Sequence, residues 1–356
     1  MNIDTVGAYA YGKPLGQAAF KTEPADFCVR EELGFEPDGE GDHALIEIEK
    51  TGMNTRDLLT ELMQLTGLAE VDIGYCGMKD KQSMSTQWFS LHLPGHRELP
   101  TLGGEHWKVL QAHKHRRKLK RGSHARNHFS ILLRHVQADK VQLESRLQLM
   151  NQHGVPNYFG EQRMGYGRKN IQQAYAMLAR YAKRPPRRLS ARESMLASAL
   201  RGFWFNEVLS RRIDQGTWTA LQPGDVVMLD GRHSIFLPDA DDADVQARLT
   251  SLALHLTGPL PGGGVSPVGE ALQDQEQQWL LEDQEAIRRM ATLVDQQRRS
   301  LRLRLQDLRC SWEGGDLRMD FALQSGSYAT AVLRELVDFQ SEGQEQRECD
   351  DANSGQ

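Results

Sequence analysis

Asp80 stands between Lys79 and Lys81 in the run Gly74-Tyr75-Cys76-Gly77-Met78-Lys79-Asp80-Lys81. A carboxylate flanked by two ammonium groups can stay ionised at neutral pH, because nearby positive charge favours the charged form. An ionised carboxylate on a loop is a candidate nucleophile or an electrostatic partner for developing positive charge. The spacing predicts how it is delivered. Val71, Ile73 and Tyr75 alternate as a short strand would. Gly74 and Gly77 then supply the backbone freedom of a tight turn. After the turn a second strand begins, with Phe89, Leu91 and Leu93 on one face.

The same chain carries positive charge in stripes. Net charge is −5, which by itself argues against a nucleic-acid partner. Yet residues 113–128, His-Lys-His-Arg-Arg-Lys-Leu-Lys-Arg-Gly-Ser-His-Ala-Arg-Asn-His, hold seven Lys or Arg and four His and no acid. Shorter basic runs are Lys183-Arg184-Pro185-Pro186-Arg187-Arg188 and Arg298-Arg299-Ser300-Leu301-Arg302-Leu303-Arg304. Such stripes are the footprint expected of phosphate-backbone binding. Arg116, Arg117, Lys118, Lys120 and Arg121 are the candidates for that role.

Residues around Asp80 resemble the signature of the TruD family of tRNA pseudouridine synthases, roughly Gly-x-Lys-Asp-(Lys/Arg)-x-Ala-x-Thr-x-Gln. Gly77, Lys79, Asp80, Lys81 and Gln87 match; Ser83 replaces Ala and Ser85 replaces Thr. Further blocks agree in order: Phe20-Lys21-Thr22-Glu23-Pro24-Ala25-Asp26-Phe27, Pro156 to Arg163, Phe205 to Ser210, and Gly326-Ser327-Tyr328-Ala329-Thr330. The resemblance implies isomerisation of uridine, at position 13 of the tRNA D-arm, to pseudouridine. That reaction breaks the bond from ribose C1′ to uracil N1 and joins C1′ to C5, with no cofactor and no metal. Asp80 would be the catalytic carboxylate, attacking C1′ or taking the C2′ proton; the residues leave both routes open. Lys21 is the second catalytic candidate, as the basic partner of the acid. Phe27, Asn127, Phe129 and Tyr328 match positions where the family contacts its substrate. Arg126 stands where the family has Gly, which questions the local backbone, because Arg does not readily take a positive φ. Glu161, Gln162 and Arg163 are left without a role between RNA and interdomain structure. An RNA-binding protein of the same fold without activity is the alternative, disfavoured by the intact Lys-Asp-Lys. A metal-dependent nuclease would want several clustered carboxylates.

The elements that must position these residues are partly legible. Apolar Leu58, Leu59, Leu62 and Leu65 predict a helix from Thr55, as N-cap, to Gly67. Helices are also expected over 138–153 and 170–182. Another opens at the capping box Ser190-x-x-Glu193. Strands are expected at 26–30, 44–48, 87–93, 129–133 and 225–229, and Thr257–Gly264 reads as a loop by its Gly and Pro content. Helices and strands mix without a βαβ period, which gives an α+β class.

A chain of 356 residues allows two domains. Linkers are expected at His153–Pro156 and around 297–302. The resemblance implies a mixed-sheet pseudouridine synthase catalytic domain from residues 1–154 and 304–340, interrupted by an inserted α/β TRUD domain over 155–303. The tail after Gln340 is polar and acidic and reads as disordered. Cys28, Cys76, Cys310 and Cys349 form no Cys-x-x-Cys pair, which argues against zinc and fits a reducing cytoplasm. No apolar run approaches the roughly 20 residues of a membrane span. The expected partner is tRNA; no protein partner and no membrane are implied, and a monomer is expected.

Overall fold

The computed structural model describes residues 7–95, 98–182, 184–239 and 242–341; the acidic tail lies outside them. The chain forms two compact units. Of the described residues, one contains those within Leu15–Gln142 and Leu305–Gly326 and from Val337 to Ser341; the other contains those from Gly7 to Pro14 and within Leu143–Arg304 and Ser327–Leu336.

The unit that carries Asp80 is built on a mixed sheet of eleven strands among the described residues. The first eight in chain order are β1 (Gln17–Phe20), β2 (Phe27–Glu32), β3 (His43–Thr51), β4 (Ile73–Tyr75), β5 (Met84–His92), β6 (Gly103–Gly104), β7 (Trp107–His115) and β8 (Arg126–Gln137). Strands Gln306–Glu313, Asp316–Gln324 and Asp338–Ser341 complete it. From the edge the order runs Gln306–Glu313, Asp316–Gln324, β8, β2, β5, β3, β7, β6. β2 and β5 are parallel, whereas β8 is antiparallel to both β2 and Asp316–Gln324. In that register Phe27, Val29 and Glu31 lie against Ile131, Phe129 and Asn127 on one face.

Helix α1 (Thr55–Thr66) closes the same face. Its Leu58, Leu59 and Leu62 pack with Ile46, Ile48, Phe89, Leu91 and Trp107. Removing such side chains from water supplies most of a helix's stability. Leu65 instead faces outward, one step off the buried stripe. The N-cap is Asn54, whose side chain accepts from the Arg56 and Asp57 amides, and Thr55 is freed for another task. Gly67 ends the helix at φ 67°, the left-handed conformation that favours glycine.

The other unit holds helices Lys169–Tyr181 and Ala191–Asp214, the second opened by the reciprocal Ser190–Glu193 capping box. A four-stranded antiparallel sheet packs with them, in the order Ile235–Phe236, Val227–Leu229, Leu254–Leu260, Gln297–Ser300. The Gly- and Pro-rich segment expected to be a loop is therefore strand as far as Leu260. Gly258 fits there because a Cβ would stand 2.9 Å from the Phe205 ring. The two segments expected as linkers meet each other: Val155–Pro156 pairs antiparallel with Arg302–Leu303. The N-terminal residues join this unit through Glu335, which is fully buried and accepts from the Ala10 and Tyr11 amides.

Candidate active site

Lys21 adopts φ 61°, a backbone conformation that side chains other than glycine rarely take. That geometry turns its ammonium under the Asp80 loop. Lys21 Nζ lies 2.5 Å from Asp80 Oδ2 and 4.1 Å from the centroid of the Phe27 ring. The lysine side chain is 8% exposed and the aspartate 38%. Strain of this kind is held only where the surroundings over-determine it, and it concentrates at functional sites.

Of the two flanking lysines, neither supplies Asp80's ion pair. Lys81 is exposed, and Lys79 turns the other way, into the sheet. Its Nζ lies 2.6 Å from Glu31 Oε1 and 2.9 Å from Asn127 Oδ1. Glu31 is buried and also accepts from the Trp88 amide at 3.0 Å. A lysine only donates, so Asn127 presents its oxygen to Lys79 and its Nδ2 to His124 Nε2, 3.0 Å away. His124 Nε2 must then accept, which makes the ring the neutral Nδ1–H form. Burial, the largest influence, pushes the imidazole down and favours that form.

The backbone of the loop is held as firmly as its side chains. Thr55 Oγ1 accepts from the Lys79 amide at 2.8 Å and donates to Gln87 Oε1 at 3.0 Å. Gln87 Nε2 donates to the Gly77 carbonyl at 2.6 Å. Ser83 Oγ donates to the Asp80 carbonyl at 2.8 Å. Buried Lys50 reaches the Met53 carbonyl at 2.5 Å and the Asp80 carbonyl at 3.4 Å. The glycines act differently from expectation, because neither Gly74 nor Gly77 has a positive φ. Gly74 is required by close approach: a Cβ there would stand 2.5 Å from the Leu119 carbonyl. Arg126 sits in extended backbone at the start of β8, so the position does not demand glycine here.

Phe27 and Phe129 belong to an aromatic cluster on the same face. Phe129 stacks on Phe321 with centroids 5.5 Å apart and lies tilted 6.0 Å from Phe27, which meets Phe20 edge-on. Phe129 is only 8% exposed. Tyr328 belongs to the other unit. There its hydroxyl accepts from Arg163 Nη1 at 2.9 Å, and its ring meets Phe159 edge-on at 6.2 Å.

The profile of the family described as tRNA pseudouridine synthase D (TruD) matches residues 5–184 and 185–336. The chain is 39% identical to the tRNA pseudouridine synthase D of Ectopseudomonas mendocina, over 98% of this chain and 99% of that protein. It is 38% identical to that of Methylococcus capsulatus, over 94% and 95%. The chain belongs to the tRNA pseudouridine synthase D family. A crystal structure of a TruD protein from Methanosarcina mazei shares the fold, with TM-score 0.69 at 20% identity, covering 95% of this chain and 98% of that one.

In this pseudouridine synthase the basic segment 113–128 is unevenly engaged. Arg116 pairs with Glu40, and Lys118 donates to the Val71 carbonyl. Arg121 donates to the Tyr75 hydroxyl at 2.8 Å. Arg117 and Lys120 are exposed. The run at 298–304 is different in kind: Arg298 is buried on Glu276 at 2.7 Å, and Arg302 on the Leu249 carbonyl at 2.6 Å. These two arginines hold the fold.

Sequence reasoning passed over Glu31, Lys50 and His124. For two of them a signal was present. Glu31 continues the inward alternation Phe27, Val29, and Lys50 continues Ile46, Ile48. A charge in phase with a buried apolar run needs a buried partner. Among the described residues no helix is long and apolar enough to cross a membrane.

Proposed function

We propose that the chain isomerises uridine to pseudouridine at position 13 of the D-arm of cytoplasmic tRNA, with Asp80 as the catalytic carboxylate and Lys21 as the residue that positions it. The observation that carries this reading is the 2.5 Å approach of Lys21 Nζ to Asp80 Oδ2, made by a lysine in a left-handed conformation. The carboxylate is the part of the pair left open to solvent. The base it acts on keeps its atoms: C1′ leaves N1 and joins C5, the C5 proton departs, and N1 gains one. Asp80 serves by attacking C1′ or by taking the C2′ proton. In this reading Phe27 and Phe129 are the rings that would stack on the uracil once the base enters, worth roughly 1–3 kcal/mol per stacked base. That offsets much of the few kcal/mol needed to extract a nucleotide from its stack.

The test is Asp80→Asn assayed by mass-spectrometric mapping of pseudouridine in tRNA. Turnover is expected to fall more than a hundredfold, about 3 kcal/mol in barrier. The amide keeps an acceptor oxygen for Lys21, so the expected loss of stability is limited to the difference between a charged and a neutral acceptor, about 1–2 kcal/mol. A folded variant retaining over a hundredth of the wild-type rate removes Asp80 from the role. Product at another uridine, with position 13 untouched, overturns the assigned target.

A further inference from the structure

His124 lies within the basic segment 113–128, yet it is only 7% exposed. Its backbone is pinned on both sides. The Gly122 amide donates to the Cys76 carbonyl at 2.7 Å, and the Ala125 amide donates to the Glu32 carbonyl at 2.8 Å. Ser123 Oγ lies 3.3 Å from Cys76 Sγ. The ring is thereby set against the loop that delivers Asp80: a Cβ on Gly77 would stand 3.8 Å from His124 Cε1. Both ring nitrogens are engaged. Nε2 lies 3.0 Å from Asn127 Nδ2, and Nδ1 lies 3.4 Å from Ser325 Oγ. Asn127 turns its Oδ1 to Lys79 Nζ at 2.9 Å, and Lys79 Nζ also reaches Glu31 at 2.6 Å. Asn127 stands opposite Glu31 in the register of β2 and β8, so two acceptors converge on one ammonium. The chain His124, Asn127, Lys79 thus ends at the residue before Asp80. All of these residues belong to the unit that carries Asp80.

We propose that His124 is a positioning residue for the reaction: its bare Nε2 fixes the orientation of the Asn127 amide, and through that amide holds Lys79 and the Asp80 loop. The proposal rests on the reading of Asp80 as the catalytic carboxylate. A carboxamide has two orientations of nearly the same shape, which differ in the end that donates. Lys79 only donates, so only one orientation gives it a second acceptor beside Glu31. The bare Nε2 selects that orientation, because it accepts from Nδ2 and has no proton to offer Oδ1. An imidazole with a proton on Nε2 would set N–H against N–H. The amide would turn over, and Nδ2 would then face the Lys79 ammonium. Buried donors that face each other forfeit their hydrogen bonds, so the loop would lose its anchor. The surroundings keep the ring neutral. Burial, the largest influence, pushes the imidazole down, with Glu31 opposing and Lys79 adding. The Cys76 thiol, beside the His124 amide, is pushed up to about 11 by burial above all and carries no charge at neutral pH.

The experiment has two readouts. Nitrogen-15 NMR of the histidine rings in wild type, with His124→Gln to assign the resonances, reports the tautomer directly. The proton is expected on Nδ1, with Nε2 bare at neutral pH; a protonated Nε2 overturns the proposal. Pseudouridine formation and affinity for an unmodified tRNA transcript are then measured for wild type, His124→Leu and His124→Gln, the affinity over a KCl series and melting temperatures alongside. His124→Leu should lose about tenfold or more in kcat, the worth of one hydrogen bond. Its tRNA affinity and salt slope should stay at the wild-type values, because no phosphate contact is removed. The Gln side-chain oxygen takes the place of Nε2 as acceptor, so His124→Gln should recover most of the rate. A folded His124→Leu with wild-type kcat overturns the proposal. So does an equal loss in both variants, which marks packing alone, and so does a reduced salt slope, which marks a phosphate contact. If His124→Leu does not fold, His124→Phe, a flat ring without an acceptor, replaces it, and if neither folds the tautomer decides. Wild type that forms no pseudouridine sinks the functional reading. Wild type that forms it while His124→Leu keeps pace sinks this inference alone.

Discussion

At the scale of single residues, Phe129 shows how stability and chemistry share a side chain. It stacks on Phe321 and touches Phe27, so its ring is part of the core as well as a candidate surface for uracil. Phe129→Leu keeps apolar volume but loses the aromatic pairs, each worth about 0.5–1.5 kcal/mol beyond burial. A loss of about 1–2 kcal/mol is expected from urea unfolding. If the ring also positions the detached base, turnover should fall much more than tRNA affinity, because phosphates carry most of the binding. Near-normal turnover with the full stability loss would leave Phe129 a packing residue only. The partner of Asp80 could not be read from the spacing of charges. Lys79 and Lys81 are adjacent in sequence, but in the loop Lys79 is committed to Glu31 and Asn127 and Lys81 is exposed. Lys21 was legible only as part of a motif, since nothing in its own neighbours announces a left-handed backbone.

Among the elements, the strand carrying Lys50 and the loop carrying Asp80 are joined by one buried ammonium. Burial first, and the charge on Lys79 second, push Lys50 down to about 8, with Asp80, Asp57 and Glu31 opposing. The sign follows from linkage. Between about pH 8 and the unfolded value near 10.4, the unfolded chain holds the proton and the folded chain has released it. Stability relative to Lys50→Met should therefore rise with pH across that window. The rate should move the opposite way, because the neutral amine is a weaker donor to the Asp80 and Met53 carbonyls. Urea midpoints and a pH–rate profile for the two proteins check both signs; a rate that stays flat from about pH 7 to 9.5, a range spanning the Lys50 titration, would detach Lys50 from the loop. Strand and helix types were readable from periodicity, and the capping box at Ser190 fixed the start of its helix to the residue. The strand through Pro259 was not readable. Gly and Pro normally break a strand, and only the proximity of Phe205 and Leu301 explains why Gly258 is favoured there.

For the whole molecule, a net charge of −5 conceals where positive charge is available to a polyanion. Counting basic residues in sequence overstates the supply, because a cation committed to a carboxylate or a buried carbonyl has little left for a phosphate. By that criterion the run at 298–304 contributes no exposed stripe from Arg298 and Arg302, whereas the segment 113–128 retains Arg117 and Lys120 at the surface. Arg116, held by Glu40, and Lys118, held by a carbonyl, must exchange partners before they can serve. The expectation is graded accordingly. Arg117→Ala with Lys120→Ala should lower the log–log salt slope of tRNA binding by roughly 0.7–0.9 for each phosphate that loses its cation. Arg116→Ala with Lys118→Ala should lower it less, because the Arg116 charge is already countered by Glu40 and the Lys118 ammonium is tied to the Val71 carbonyl. Measuring the two double variants over the same KCl series separates surface availability from mere composition. Equal decreases would show that RNA displaces the internal partners at little cost, and no decrease in either would show that the segment faces solvent when tRNA is bound.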